Sequence, residues 1–144
     1  MDQRILDHIP QRDPFLFIEE IVEHTSERIV TSKKLTGEED FFKGHFPGRP
    51  VFPGVLMCEA VFQTGALLMS LRGSSAGDDK TALVTRIQGA KFKNMVKPGD
   101  ELHIQVDFVE MLANAAFMKG KITSGGKTVM TIEFAATLVD AGAV

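Results

Sequence analysis

The 144-residue chain contains neither tryptophan nor tyrosine. Its 11 phenylalanines and 7 methionines must therefore fill the bulky core positions. A single cysteine, Cys58, excludes an internal disulfide and any metal site built from several thiolates. A basic excess is also missing. The 16 Lys and Arg against 19 Asp and Glu give a net charge of -3, which argues against a nucleic-acid-binding surface. No uninterrupted apolar run reaches the roughly 18 residues expected of a membrane span. The opening MDQRILDHIPQRD is polar and mixed in charge, unlike a signal peptide. The full pattern of a phosphate-binding loop, with spaced glycines ahead of Lys-Ser/Thr, does not occur. What remains is the composition of an ordinary globular chain, 44% apolar and 24% charged. Its length suits one domain over residues 1–144, expected in the cytoplasm.

Most of the chain reads as β-structure. Residues 15–36, FLFIEEIVEHTSERIVTSKKLT, mix β-branched residues with charges and predict two strands around a short turn. Leu102, Ile104, Val106 and Phe108 alternate with Glu101, His103, Gln105 and Asp107, the period of a strand with one buried face. Further strands are expected over 81–94, 117–123 and 128–139. SGGKT forms the hairpin turn between the last two, and KPGD, residues 97–100, forms another turn.

One segment departs from this pattern. Residues 54–72, GVLMCEAVFQTGALLMSLR, contain no proline and are apolar on nearly every side, which predicts a helix packed on most faces. Pro53 precedes it, where a missing N–H costs nothing; Gly73 and a loop, SSAGDD, follow it. A membrane helix competes, but Glu59, Gln63 and Arg72 interrupt the run. One buried helix with five or more antiparallel strands predicts an α+β hot dog arrangement, a sheet wrapped around a central helix.

Within that helix, Glu59 and Gln63 stand at i and i+4 and so share a face. Burying a glutamate in an apolar site costs several kcal/mol unless it is paired or protonated. Either both residues lie on a narrow exposed stripe continued by Ser70, or Glu59 has work to do. The preceding HFPGRPVFPG carries Pro47, Pro50 and Pro53 at intervals of three, a stiffened loop feeding straight into the helix. His45 is the one side chain in it able to exchange protons near neutral pH.

FFKGHFPGRPVFPGVLMCEAVFQ, residues 41–63, resembles the active-site motif of the 3-hydroxyacyl-[acyl-carrier-protein] dehydratases in their glutamate form. IPQRDPFLFIEEI and RIQGAKFKNMVKPGDELHIQV, residues 9–21 and 86–106, resemble the flanking segments of the same family. The resemblance implies a hot dog fold that dimerises, with trimers of dimers in some members. It implies His45 and Glu59 as the catalytic pair, contributed by different subunits to each site. Gly54 matches the helix-start glycine whose N–H holds the thioester carbonyl. Val51 matches the carbonyl that accepts from the histidine ring, and Gln63 the glutamine that supports the acid. Gln11 stands where the family has histidine, Met95 where many members have proline, and a tunnel tyrosine is missing. The partner implied is an acyl carrier protein, with no cofactor and no metal.

The residues suit that chemistry. Removing water from a 3-hydroxyacyl thioester needs a base for the C2 proton, an acid for the departing hydroxyl and a donor to the carbonyl oxygen. Neutral imidazole can be the base. A carboxyl on an apolar helix keeps its proton because desolvation raises its pKa. Phe42, Phe46, Phe52, Phe62 and Met57 are candidates for an apolar tunnel that takes the acyl chain. Lys91, Lys93 and Lys97, with Arg86, could face an acidic carrier or merely line a solvated strand edge. Cys58 reads as a buried, inert thiol, and His8, His24 and His103 as surface residues. A thioesterase and a non-catalytic acyl-binding protein are the competing functions.

Overall fold

A computed structural model describes residues 1–73 and 80–143. The SSAGDD loop expected after the helix lies outside the described residues. Six strands form one antiparallel sheet: β1 (Glu20–His24), β2 (Arg28–Lys34), β3 (Lys80–Phe92), β4 (Glu101–Leu112), β5 (Ala115–Ser124) and β6 (Lys127–Asp140). Their order across the sheet is β1-β2-β4-β5-β6-β3. Helix α3 (Gly54–Gly73) packs in the curve of this sheet, against β2, β3, β4, β5 and β6. This is the hot dog fold, α+β in class.

The pairing follows from the period-two pattern. Leu102, Ile104 and Val106 of β4 are fully buried against the helix, while the residues between them face outward. Gly125 and Gly126 both take positive φ, 57° and 79°, and close the β5–β6 hairpin, the geometry that a two-residue turn demands. The Gly-Lys-Thr of residues 126–128 therefore sits in a hairpin. No helix begins there, so nothing is arranged to cradle a phosphate.

By length and composition α3 could cross a membrane. Its apolar character is accounted for by the sheet around it, with Ala60, Val61, Leu67 and Leu68 at zero exposure. The approach is close. A Cβ added at Gly65 would lie 2.7 Å from the Phe134 ring, and one at Gly120 would overlap the Val61 side chain. Two small residues thus let helix and sheet meet at backbone distance. Thr64 bonds to Thr31 of β2 across the same interface, Oγ1 to Oγ1, at 2.8 Å.

Two short helices were not foreseen: α1 (Gln3–His8), capped by the Asp2 side chain on Arg4 N–H, and α2 (Phe41–Gly44). Each is about one or two turns, too short for a 3.6-residue period to show. The expected first strand also starts later than residue 15, because residues 15–18 run beside α3 instead of joining the sheet.

Candidate active site

The proline-rich loop closes on itself before it enters α3. Phe46 and Arg49 exchange two backbone hydrogen bonds, at 3.1 and 2.9 Å, and Val51 N–H donates to His45 C=O at 2.9 Å. Phe52 N–H then bonds to Val96 C=O at 2.8 Å, tying the loop to the chain beyond β3. His45, half-buried, lies at the C-terminal end of α2 with its ring stacked on Phe46, centroids 4.0 Å apart. Its Nδ1 is 2.8 Å from Val51 C=O. A carbonyl can only accept, so Nδ1 carries a hydrogen, and in the neutral ring the lone pair is the one on Nε2.

His45 opens into a cleft of about 380 Å³ that also includes Val51, Gly54, Phe92 and Met95. Gly54 is the first residue of α3. Among the described residues the Gly54 and Val55 N–H groups have no backbone acceptor; the first bonds to Pro53 C=O come from Leu56 and Met57. Two donors at the positive end of a 20-residue helix thus border the histidine. A second cleft, about 680 Å³, shares Val51 and Met95 with the first and carries Arg49 and Lys97.

Glu59 lies one turn further along α3. Burial pushes its pKa up, and the hydrogen bond from Gln63 pulls the other way. Gln63 is fully buried, so the exposed stripe shared by Glu59 and Gln63 does not exist. Glu59 is half-buried on a line with Val55, Phe62, Ala66 and Ser70, whereas Gln63 points inward. Its Oε1 accepts from Phe17 N–H at 2.9 Å, and its Nε2 donates to Phe15 C=O at 2.8 Å and to Glu59 Oε2 at 3.0 Å. Glu59 does not line the cleft around His45. Within one chain the two groups do not share that cleft.

The remaining sequence candidates fall in different places. Phe42, Phe52 and Met57 are buried at 5%, 1% and 3% exposure, with Phe42 and Phe52 both tilted against Phe41, and Phe52 and Met57 also line the His45 cleft. Phe46 is exposed and Phe62 half-buried beside Phe134. Arg86, Lys91, Lys93 and Lys97 are all exposed. Burial raises the pKa of the Cys58 thiol, which keeps it protonated. His24 is exposed; His8 and His103 are half-buried and occupied locally, His8 with Arg4 C=O. No cluster of three metal-ligating side chains occurs among the described residues. Sequence reasoning passed over Phe92, which reads as one more core phenylalanine until the strand register is known.

A hot dog scaffold that sets an imidazole beside an open helix amino end, with a half-buried carboxyl of raised pKa on the same helix, carries the groups that proton transfer on an acyl chain would need. Residues 9–133 match the FabA-like domain, and the chain belongs to that family. It is 40% identical over 139 residues to the 3-hydroxyacyl-[acyl-carrier-protein] dehydratase FabZ of Caulobacter vibrioides, covering 96% of this chain and 87% of that protein. To the FabZ of Bacillus subtilis it is 39% identical over 132 residues, 91% and 92% of the two chains. Among solved structures, the dehydratase heterocomplex ApeI:P from Xenorhabdus doucetiae superposes with a TM-score of 0.79 at 12% identity, covering 96% of this chain and 92% of that one. A hypothetical thioesterase from Streptococcus pneumoniae, with coenzyme A, gives 0.64 at 14% identity, over 84% and 88%. At such identities these structures share the fold alone.

Proposed function

We propose that this protein dehydrates 3-hydroxyacyl thioesters of acyl carrier protein to the trans-2-enoyl thioesters of fatty acid synthesis, with His45 as base and Glu59 as acid. The observation that carries the reading is the His45 ring, its Nδ1–H committed to Val51 and its Nε2 left free. Nε2 takes the C2 proton, and charge builds on the thioester oxygen, where the Gly54 and Val55 N–H groups receive it. Glu59, whose burial favours the protonated form, gives its proton to the C3 hydroxyl, which leaves as water. Imidazolium and carboxylate then exchange the proton through solvent, and no redox cofactor or metal takes part.

Each site joins His45 of one protomer to Glu59 of another. Support comes from a core-side surface that one chain leaves uncovered. Val84 and Ile87 of edge strand β3 pair with the buried Ala136 and Phe134, so they face the helix side. Yet they are 36% and 55% exposed, and Val55 of α3 is 77% exposed. An edge strand with unpaired backbone and apolar side chains is completed by a second copy. Lys91, Lys93 and Lys97, with Arg49, form the basic rim that would face an acidic carrier, and the site of action is the cytoplasm. The assembly beyond the dimer expected for the family, a trimer of dimers, goes with this reading.

Conversion of a 3-hydroxyacyl thioester, followed by ultraviolet absorbance of the conjugated product, tests it with His45→Ala and Glu59→Gln alongside. Co-refolding the two inactive variants should restore about a quarter of wild-type turnover, because half the dimers are mixed and each has one intact site. Thiol release without enoyl formation would make the protein a thioesterase instead. Variants that keep full activity would remove the assigned pair.

A further inference from the structure

We propose that Phe92 is a thioester-contacting residue, whose ring forms the apolar wall of the His45 cleft and keeps water from the amino end of α3. This rests on the dehydratase reading and adds to it a residue that the motif does not contain. The first observation is the register of β3. Gln88 pairs with Glu133 and Lys91 with Thr131, so Gly89 and Ala90 stand opposite Ile132 alone. Gly89 has φ +63°, the left-handed conformation of a glycine bulge. In a regular strand Phe92, four residues from Gln88, would share its outward face. The extra residue reverses the alternation and pairs Phe92 with the fully buried Met130. Its ring thus turns to the helix side.

There the ring lies over the start of α3. An ideal Cβ on Gly54 would be 3.1, 3.3 and 3.4 Å from three atoms of the Phe92 ring. Gly54 is therefore what lets the ring reach the two free N–H groups. The strand end that carries it is held firmly: Lys93 and Asn94 N–H both bond to Val129 C=O, and Asn94 Nδ2 donates to Thr128 C=O at 2.7 Å. Nevertheless Phe92 is 52% exposed, and the exposed part faces the cleft that holds His45. A rigidly mounted aromatic with half its surface open, beside a free base and two free donors, gives the apolar part of a thioester a surface to pack on. Excluding water there strengthens the hydrogen bonds to the developing oxyanion.

The test compares wild type with Phe92→Ala, Phe92→Leu, Gly54→Ala and the double variant Gly54→Ala/Phe92→Ala, using a 3-hydroxybutanoyl thioester of pantetheine. Sedimentation velocity and thermal unfolding accompany each assay. Phe92→Ala should lower kcat about tenfold or more through lost positioning. Phe92→Leu, which keeps an apolar wall, should stay within about threefold of wild type. The double variant should be no faster than Phe92→Ala. Recovery of wild-type kcat in the double variant would show that Phe92 only crowds position 54, and would overturn the proposal. So would a Phe92→Ala protein with unchanged kcat, or one whose loss tracks dissociation of the dimer. An active wild type with an indifferent Phe92→Ala sinks this inference alone. A wild type that forms no enoyl product sinks the dehydratase reading and this one together.

Discussion

Gln63 decides which oxygen of Glu59 can carry a proton. The Phe17 N–H can only donate, so it fixes Gln63 Oε1 beside it and turns Nε2 toward Glu59 Oε2, 3.0 Å away. Oε2 is thereby kept as an acceptor. A proton on Glu59 sits on Oε1, free to be given away. The residue four positions along the helix sets the orientation of the carboxyl and which of its oxygens is left open.

Removing that amide exposes its structural share. Gln63→Leu leaves the N–H of the buried Phe17 without its partner, at a cost of about 1–3 kcal/mol, and also removes the bond to the C=O of the more exposed Phe15. Urea denaturation should show a lower midpoint, and dehydration should slow because Glu59 loses its orientation. An unchanged midpoint would mean that residues 15–17 find other partners.

The burial of Glu59 has a pH signature. Its folded-state pKa lies above the ordinary carboxylate value, so the folded protein favours the protonated form. That favourable contribution is complete below the unfolded pKa and is lost as pH rises through the raised folded one. Glu59→Gln, which never ionises, should gain stability relative to wild type across that same rise. Unfolding series at several pH values would show the two curves diverging. Parallel curves would contradict a raised pKa. Turnover by the wild type should likewise fall on the alkaline side as Glu59 loses its proton.

Close approach of α3 to the sheet predicts a coupled pair. Gly120→Ala drives a Cβ into the Val61 side chain and should destabilise the protein by about 1–3 kcal/mol. Val61→Ala alone leaves a cavity. Together they should cost less than the sum, with a coupling of about 0.5–3 kcal/mol in a double-mutant cycle. Strict additivity would place the contact elsewhere.

The open face of β3 predicts an assembly. Ile87→Glu puts a charge on a core-side position that is 55% exposed in one chain, so the isolated fold should tolerate it. Sedimentation should show monomers, and enoyl formation should disappear with the dimer. A dimer that persisted with full activity would move the interface off β3.

Several features were legible in the residues because they depend on short-range chemistry. The 54–72 run announced α3 through its length and its lack of proline. The alternation from Glu101 onward announced β4 with the correct face inward. GHFPG and the Glu-Ala of residues 59–60 carried the family resemblance, and the structure sets Val51 C=O against the His45 ring at the matched position. The tunnel candidates could not be sorted by residue type, and Phe52 and Met57 prove to be buried and yet to line the His45 cleft. Phe42, Phe52 and Met57 resemble Phe62 as side chains, and periodicity has little power on a helix that is apolar all round. Only packing separates core fillers from residues with an open side. Gln63 and Phe92 depend on partners 46–48 and 38 residues away in the chain, namely residues 15–17 for the first and Gly54 and Met130 for the second.

Composition, periodicity and the histidine-to-glutamate motif by themselves determined the fold class, the central helix and the two proton-transfer candidates. The tertiary structure decided which atoms are free to act: the bare Nε2 of His45, the Oε1 of Glu59 left open by Gln63, and the ring of Phe92 swung inward by one extra residue at Gly89. Local sequence specifies which conformation a segment prefers. Which donor is already taken and which face is covered depends on segments that meet only when the sheet closes around the helix.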